Sequence, residues 1–141
     1  MYQFISKCEQ DTIDFATKLA PQLKPKDIII LSGELGSGKT KFVQGILKYF
    51  GLENEISSPT FTIVNEYIKN NINIYHFDVY RLEDSSEFYA IGGEEYFENG
   101  ICIIEWGELI EPILSNYIKV NISKDNDNVD IRYITINNVT I

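Results

Sequence analysis

The sequence predicts an α/β fold in which a mixed, mainly parallel sheet is flanked by helices and carries one antiparallel hairpin insertion. A strongly apolar run at residues 28–31 suits a buried parallel strand, and a glycine-rich loop and an amphipathic segment follow it. Later in the chain, two strand-like runs flank Asn70 and Asn71, which is typical of a hairpin. A length of 141 residues allows one domain with its own core, so we expect residues 1–141 to form a single domain.

The remaining elements are predicted from hydrophobic periodicity and from turn residues. A first helix is expected to end near Pro21, and Ser6 and Glu9 at its start have the spacing of a capping box. The other predicted elements are strands at 2–5, 61–68, 72–80, 101–105, 119–123 and 129–136 and a short helix at 85–90.

The most informative segment is GELGSGKT, which has the spacing of a phosphate-binding loop. Gly33, Gly36 and Gly38 allow backbone angles with which a loop can wrap a polyphosphate and direct N–H groups at its oxygens. Lys39 would add a cation for the β- and γ-phosphates, and the Thr40 hydroxyl is placed to bind Mg²⁺. The motif therefore predicts a P-loop NTPase-like fold.

The segments on either side of this loop are those that the motif requires. A buried strand is expected before it, and a helix N-terminus after it would supply positive potential to phosphates. The competing interpretation, a glycine turn between unrelated elements, is disfavoured because motif and context agree. The apolar face of the following helix consists of Phe42, Val43, Ile46, Leu47 and Phe50.

Two carboxylates lie at the ends of predicted strands. Glu105 follows four apolar residues, the usual position of an acidic residue that holds Mg²⁺ or its water, and Asp78 ends a second strand. Ligands collect at the carboxyl ends of strands in open α/β sheets, so both can approach the phosphates. The competing interpretation of each carboxylate is a solvated residue at a strand end, and it is less favoured for Glu105 than for Asp78. His76 alternates with apolar residues and fits a structural histidine better than a catalytic base. The position of Trp106, directly after Glu105, also fits an aromatic residue of the core.

The chain is acidic, with a net charge of −9 and only two arginines, Arg81 and Arg132. Such a surface repels a phosphate backbone, so any nucleic-acid role is expected to run through a protein partner. The sequence shows neither an apolar run that could span a membrane nor a signal peptide. Cys8 and Cys102 indicate two reduced thiols, and together these features predict a cytoplasmic protein.

Four segments occur together in an order that resembles TsaE, the bacterial ATPase family of tRNA threonylcarbamoyladenosine (t6A) biosynthesis. The resemblance covers nearly the whole chain. The phosphate-binding loop is shared by many families, whereas the other three segments are more specific. The segments are GELGSGKT, SSPTFTIVNEY, YHFDVYRL and IIEW.

The resemblance implies ATP and Mg²⁺ as ligands and gives individual residues roles. Lys39, Asp78 and Glu105 would be the catalytic residues, with Asp78 acting at the γ-phosphate by orienting the attacking water. Thr40 and Glu105 would hold Mg²⁺. The residues that would contact the nucleotide are Gly33, Gly36, Ser37, Gly38, Lys39, Thr40, Lys41, Trp106, Gln10 and Asp127, the last two toward its nucleoside end.

The resemblance also implies a switch-like segment at residues 58–61 and two protein partners, TsaB and TsaD. The complex of these partners transfers a threonylcarbamoyl group to adenosine 37 of certain tRNAs, and the ATPase step would reset it, so that tRNA is contacted only indirectly. This chain has Asn128 and Val129 where many relatives carry a Gly-Arg pair, which puts an arginine contact from this turn in doubt.

Two other functional classes share the phosphate-binding loop. A small-molecule kinase usually needs an arginine-bearing lid, which is disfavoured by the presence of only two arginines. A GTPase-like switch is disfavoured because the sequence contains no N-K-x-D guanine motif. The sequence therefore favours a regulatory ATPase within a multiprotein modification machine.

Overall fold

A computed structural model of the chain describes residues 2–34, 36–52, 64–69, 71–79 and 84–140. The predicted switch-like segment at 58–61 and Arg81 lie outside these ranges. None of the helices in the described ranges is long and apolar enough to cross a membrane. Both cysteines are free thiols, Cys8 exposed and Cys102 buried, as the sequence indicates.

Among the described elements, strands and helices alternate in the first half of the chain, and nearly all of the elements were predicted. Within the described ranges, the exceptions are α4 and three short 3₁₀ helices, at Ala20–Gln22, Gly107–Leu109 and Glu111–Ile113. The longer elements are β1 (Tyr2–Ser6), α1 (Glu9–Leu19), β2 (Ile28–Ser32), α2 (Lys39–Tyr49), β3 (Val64–Lys69), β4 (Ile72–Asp78), α3 (Ser85–Ala90), α4 (Gly93–Tyr96), β5 (Ile101–Glu105), β6 (Asn116–Lys124) and β7 (Arg132–Thr140).

The described strands form one mixed sheet in the order β1-β7-β6-β2-β5-β4-β3. Parallel pairing is confined to the centre, where β2 lies between β5 and β6 and β5 also pairs with β4. The predicted hairpin is present as the antiparallel pair β3 and β4, and β6, β7 and β1 form an antiparallel group at the other side. The central parallel strands therefore bring their carboxyl ends to one edge of the sheet.

Each face of the sheet has its own apolar core. On one face, Phe42 and Ile46 of α2 belong to a buried cluster with Ile29 of β2 and Ile103 of β5. On the other face, Phe88 of α3 belongs to a second cluster around the adjacent residues of the same strands. Because β2 and β5 are covered on both sides, all five residues of each strand are buried.

The capping box predicted at the start of α1 is wrong. The N-cap residue is Cys8, and its side chain makes no capping bond. The Ser6 hydroxyl bonds the Cys8 carbonyl oxygen at 2.8 Å and the Thr12 hydroxyl at 2.7 Å instead. Ser6 is the last residue of β1, so its side chain stabilises the connection between β1 and α1 and does not cap the helix.

The two helices on the first face touch through Gly45 of α2. A Cβ atom at this position would lie 2.3 Å from the Ile13 carbonyl oxygen and 2.7 Å from Ala16 Cβ of α1. The Gly45 carbonyl oxygen also accepts a bond of 3.0 Å from the Thr17 hydroxyl of α1. The absence of a side chain at Gly45 thus fixes how closely α2, and with it the phosphate-binding loop, approaches α1.

We expect Gly45→Ala to lower the free energy of unfolding by about 1–3 kcal/mol, because the added methyl group overpacks this contact. Alanine is the better helix former by roughly 1 kcal/mol, so propensity alone predicts the opposite sign. Urea denaturation measures the difference, with Lys48→Ala at an exposed position of α2 as the control. A Gly45→Ala protein as stable as the parent would contradict the close approach.

Candidate functional site

The loop between β2 and α2 faces open space at Gly38. This residue is the N-cap of α2 and has a φ of +107°, a conformation that L side chains rarely adopt. A Cβ atom built there would meet none of the described residues within 4 Å. The glycine is therefore required by its backbone angle, and the space beside it is available to a ligand.

The first turn of α2 supplies backbone donors next to that space. The first helical hydrogen bond runs from the Phe42 N–H to the Gly38 carbonyl oxygen at 3.1 Å, so the preceding N–H groups of the turn have no helical acceptor. Thr40 is exposed in this turn, and Lys41 forms an exposed ion pair of 3.7 Å with Glu9. Unpaired N–H groups and the positive end of the helix dipole together suit an anion.

Lys39 lies at the centre of the site with only 6% of its surface exposed. Its ammonium group donates a hydrogen bond of 2.6 Å to the Gly33 carbonyl oxygen and lies 3.6 Å from the centre of the Trp106 ring. Burial lowers the pKa of Lys39 below its usual value, and the nearby carboxylates, Glu105 first, partly offset this shift. A buried cation held by a carbonyl and an aromatic face gains strongly from an anionic partner.

The carboxylates at the strand ends lie on adjacent strands. The register of β4 and β5 pairs Asp78 with Glu105, and Glu105 also pairs with Leu31 of β2. Asp78 and Glu105 both raise the pKa of Lys39, as does Glu108 just after β5, so all three lie within electrostatic reach of the ammonium group. The two carboxylates predicted from sequence are therefore brought together with the predicted lysine.

Glu105 is held by a histidine. His76 Nε2 and Glu105 Oε2 are 2.5 Å apart, and the two residues are only 4% and 7% exposed. A buried carboxylate needs such a donor, because leaving it unpaired costs several kcal/mol. His76 is thus structural, as the sequence suggests, but what it fixes is the position of a site residue.

The back of the loop is tightly packed. A Cβ atom at Gly33 would lie 2.5 Å from the Ile122 carbonyl oxygen and 2.6 Å from the Ser37 hydroxyl. Ser37 is fully buried, and its hydroxyl has no hydrogen-bond partner within the described part of the chain. Its N–H donates to the Glu34 carbonyl oxygen at 3.0 Å, which closes a tight turn. Ser37 therefore stabilises the conformation of the loop through the hydrogen bond of its backbone N–H.

The two residues predicted at the nucleoside end are exposed and bonded locally. Gln10, in the first turn of α1, donates through its side chain to Asp14 at 2.8 Å. Asp127 lies in the turn between β6 and β7, where its N–H donates to the Asp125 carboxylate at 3.0 Å. These bonds lie within α1 and within the β6–β7 turn, and the contact of either residue with a nucleotide stays a prediction.

Sequence reasoning missed two contributors to the site. Glu108 lies two residues after the IIEW segment. It comes close to Lys39 because the chain turns at Trp106, which has a φ of +62°. Arg132 lies within the predicted strand at 129–136, and its guanidinium contacts the phosphate-binding loop. No local pattern signals a contact between residues that are 95 positions apart.

The chain is similar to proteins of one family over most of its length. A family model described as threonylcarbamoyl adenosine biosynthesis protein TsaE matches residues 6–134. Proteins named tRNA threonylcarbamoyladenosine biosynthesis protein TsaE include one from Rickettsia bellii, 43% identical over 85% of both chains. A second, from Bacillus subtilis, is 44% identical over 72% of this chain and 64% of its own length.

A solved structure shows the same similarity in three dimensions. The crystal structure of YdiB from Bacillus subtilis superimposes with a TM-score of 0.79 and 32% identity, covering 99% of this chain and 86% of that one. Sequence and structure thus agree with the resemblance seen in the four motif segments. The chain belongs to the TsaE family of threonylcarbamoyl adenosine biosynthesis proteins.

Proposed function

We propose that the chain is a Mg²⁺-dependent ATPase of cytoplasmic tRNA t6A modification that acts on the complex of TsaB and TsaD. The observation that carries the ATPase proposal is the position of Lys39. This buried ammonium group lies at the N-terminus of α2, beside an open glycine loop and two strand-end carboxylates. A cation and helix donors for phosphates next to carboxylates for a metal form the site of a P-loop NTPase.

The chain's own groups suit the binding of a triphosphate. The N–H groups of the first turn of α2 would bind phosphate oxygens, and Lys39 would exchange the Gly33 carbonyl for the β- and γ-phosphates. Trp106, now against the Lys39 ammonium, would form one wall of the nucleotide site. Gln10 and Asp127 are proposed to contact the nucleoside.

Mg²⁺ fits the donor set at this edge of the sheet. Thr40 and Glu105 would hold the ion, which usually takes one or two protein oxygens and completes its shell with phosphates and water. The ion would supply charge neutralisation to the phosphates. His76 keeps the Glu105 carboxylate in place. Asp78, the register neighbour of Glu105, would orient the attacking water, so that phosphate is released to water.

A small-molecule kinase is the second candidate because it uses the same loop. The two proposals differ in the fate of the γ-phosphate. Incubating the protein with Mg²⁺·ATP and a panel of hydroxyl and phosphate acceptors separates them. Release of inorganic phosphate alone supports the ATPase, whereas a phosphorylated acceptor supports the kinase.

Replacing Lys39 by alanine is expected to weaken ATP binding by roughly 10- to 100-fold, since a charge-assisted bond to phosphate is worth about 1.5–3 kcal/mol. The fold should survive, because the change removes a desolvated cation. Calorimetric titration measures the affinity and circular dichroism the fold. Lys48→Ala, on an exposed position of the same helix, is the matched control. Unchanged affinity in the Lys39 variant would refute the site.

The two carboxylates are expected to have separable effects. Glu105→Gln keeps an acceptor for His76 but is a poorer ligand, so the Mg²⁺ concentration for half-maximal hydrolysis should rise roughly tenfold. Asp78→Asn should leave ATP affinity nearly unchanged and slow turnover by roughly 100-fold, because its role lies in the reaction step. If Asp78→Asn abolishes ATP binding while Glu105→Gln has no effect, the two roles are reversed.

The proposed partners follow from the t6A family and from the small number of cations at the site. Within the described residues, Lys39 is the buried cation beside the two carboxylates, Lys124 brings its ammonium group close to Gly36, and Arg132 is bonded to backbone carbonyls. P-loop enzymes without an arginine at the γ-phosphate are slow, and a residue supplied by a partner accelerates them. A net charge of −9 also suits protein partners better than direct binding of tRNA.

We therefore expect slow phosphate release by the isolated chain and faster release when the TsaB–TsaD complex is added, by ~10³-fold if a partner supplies a cation. Steady-state phosphate release at fixed salt, with increasing amounts of the complex, measures this. The Asp78→Asn protein with the complex is the control for contaminating activity. If the rate of phosphate release does not change although binding of the complex is confirmed, the partner-coupled mechanism is wrong and the chain is a self-sufficient ATPase.

A further inference from the structure

Arg132, the first residue of β7, directs its guanidinium at the backbone of the phosphate-binding loop. Its Nε donates to the Ser37 carbonyl oxygen at 3.0 Å, and a terminal nitrogen donates to the Gly36 carbonyl oxygen at 3.2 Å. The other terminal nitrogen donates to the carbonyl oxygens of Val129 and Ile131, at 2.6 and 3.0 Å. The guanidinium thus joins the β6–β7 turn to the loop through backbone acceptors alone.

These bonds fix the orientation of two consecutive peptide groups. All described peptide bonds are trans, so the C=O and N–H of one peptide group point in opposite directions. Holding the Ser37 carbonyl therefore directs the Gly38 N–H away from Arg132. Holding the Gly36 carbonyl likewise orients the Ser37 N–H, which closes the turn onto Glu34.

The loop needs such external support because its sequence provides little. Gly36 and Gly38 have φ values of +80° and +107°, and glycine loses more conformational freedom on ordering than any other residue. A loop that is ordered only when its ligand binds reduces the affinity by the cost of that ordering. A fixed brace behind the loop removes this cost before the ligand arrives.

We propose that Arg132 is a positioning residue for the phosphate site, which holds the Gly36–Ser37–Gly38 backbone in its ligand-ready conformation. The inference rests on the proposed nucleotide binding by this loop. Arginine is suited to the task because its rigid fork of donors reaches two adjacent carbonyls at once, whereas lysine offers a single point charge. The effect is carried from β7 to the loop without contact between Arg132 and the ligand.

A role confined to the β6–β7 turn is the alternative, and the chain offers a matched control for it. The Tyr133 hydroxyl donates to the Asp125 carboxylate at 2.5 Å, so Tyr133→Phe perturbs the same turn without touching the loop. Arg132→Lys keeps the charge and loses the fork, and Arg132→Met loses both. Lys48→Met, at an exposed position, controls for the change in net charge.

Two measurements on the full chain test the proposal. Without nucleotide, the amide exchange of Ser37, followed by NMR, should be roughly tenfold faster in both Arg132 variants, because the turn onto Glu34 opens more often. With Mg²⁺·ATP, calorimetry should show roughly tenfold weaker binding in both variants. Tyr133→Phe and Lys48→Met should stay within about twofold of the parent in both measurements.

The outcomes are distinguishable. Parental exchange at Ser37 and parental ATP affinity in the Arg132 variants would overturn the proposal, as would an equal loss in Tyr133→Phe. If the parent protein itself fails to bind ATP, the proposed function fails, and the exchange of Ser37 still decides whether Arg132 braces the loop. Melting temperatures of all variants show whether a loss reflects unfolding.

Discussion

The parallel register of β4, β5 and β2 is the constraint on which the rest of the site depends. It places Asp78 beside Glu105 and Glu105 beside Leu31, at the edge where β2 leads into the phosphate-binding loop. A shift of one residue in the register of β4 or β5 would turn its carboxylate to the opposite face of the sheet. The apolar residues before them prevent this, because the strands are buried on both faces.

The charges at this edge of the sheet suit an anionic ligand. Lys39 is buried, and its ammonium group contacts both the Gly33 carbonyl oxygen and the ring of Trp106. Burial lowers the pKa of Lys39, and neighbouring carboxylates raise it by less. The carboxylates therefore offset only part of the cost of burying this charge. Phosphate oxygens would complete this compensation, and a divalent cation would offset the repulsion between phosphate and Glu105.

The sequence predicted the local features of the site and missed the long-range ones. The motif, β2, the apolar face of α2 and the positions of Asp78 and Glu105 depend on residue type and short-range periodicity, and the structure contains them. The bond between His76 and Glu105 spans 29 positions and that between Arg132 and Ser37 spans 95, so no periodicity encodes them. The predicted capping box failed because the Ser6 hydroxyl bonds the Cys8 carbonyl oxygen and the Thr12 hydroxyl instead of a backbone N–H of the helix.

The most direct test of the account is the fluorescence of Trp106, the only tryptophan in the sequence. Its ring lies 3.6 Å from the Lys39 ammonium, so phosphates that bind this ammonium are expected to change the surroundings of the ring. Titration with Mg²⁺·ATP is expected to give a saturable change in emission in the parent protein and none in Lys39→Ala at the same concentrations. An unchanged emission in the parent at millimolar ATP, or the same change in both proteins, would contradict the proposed role of Lys39.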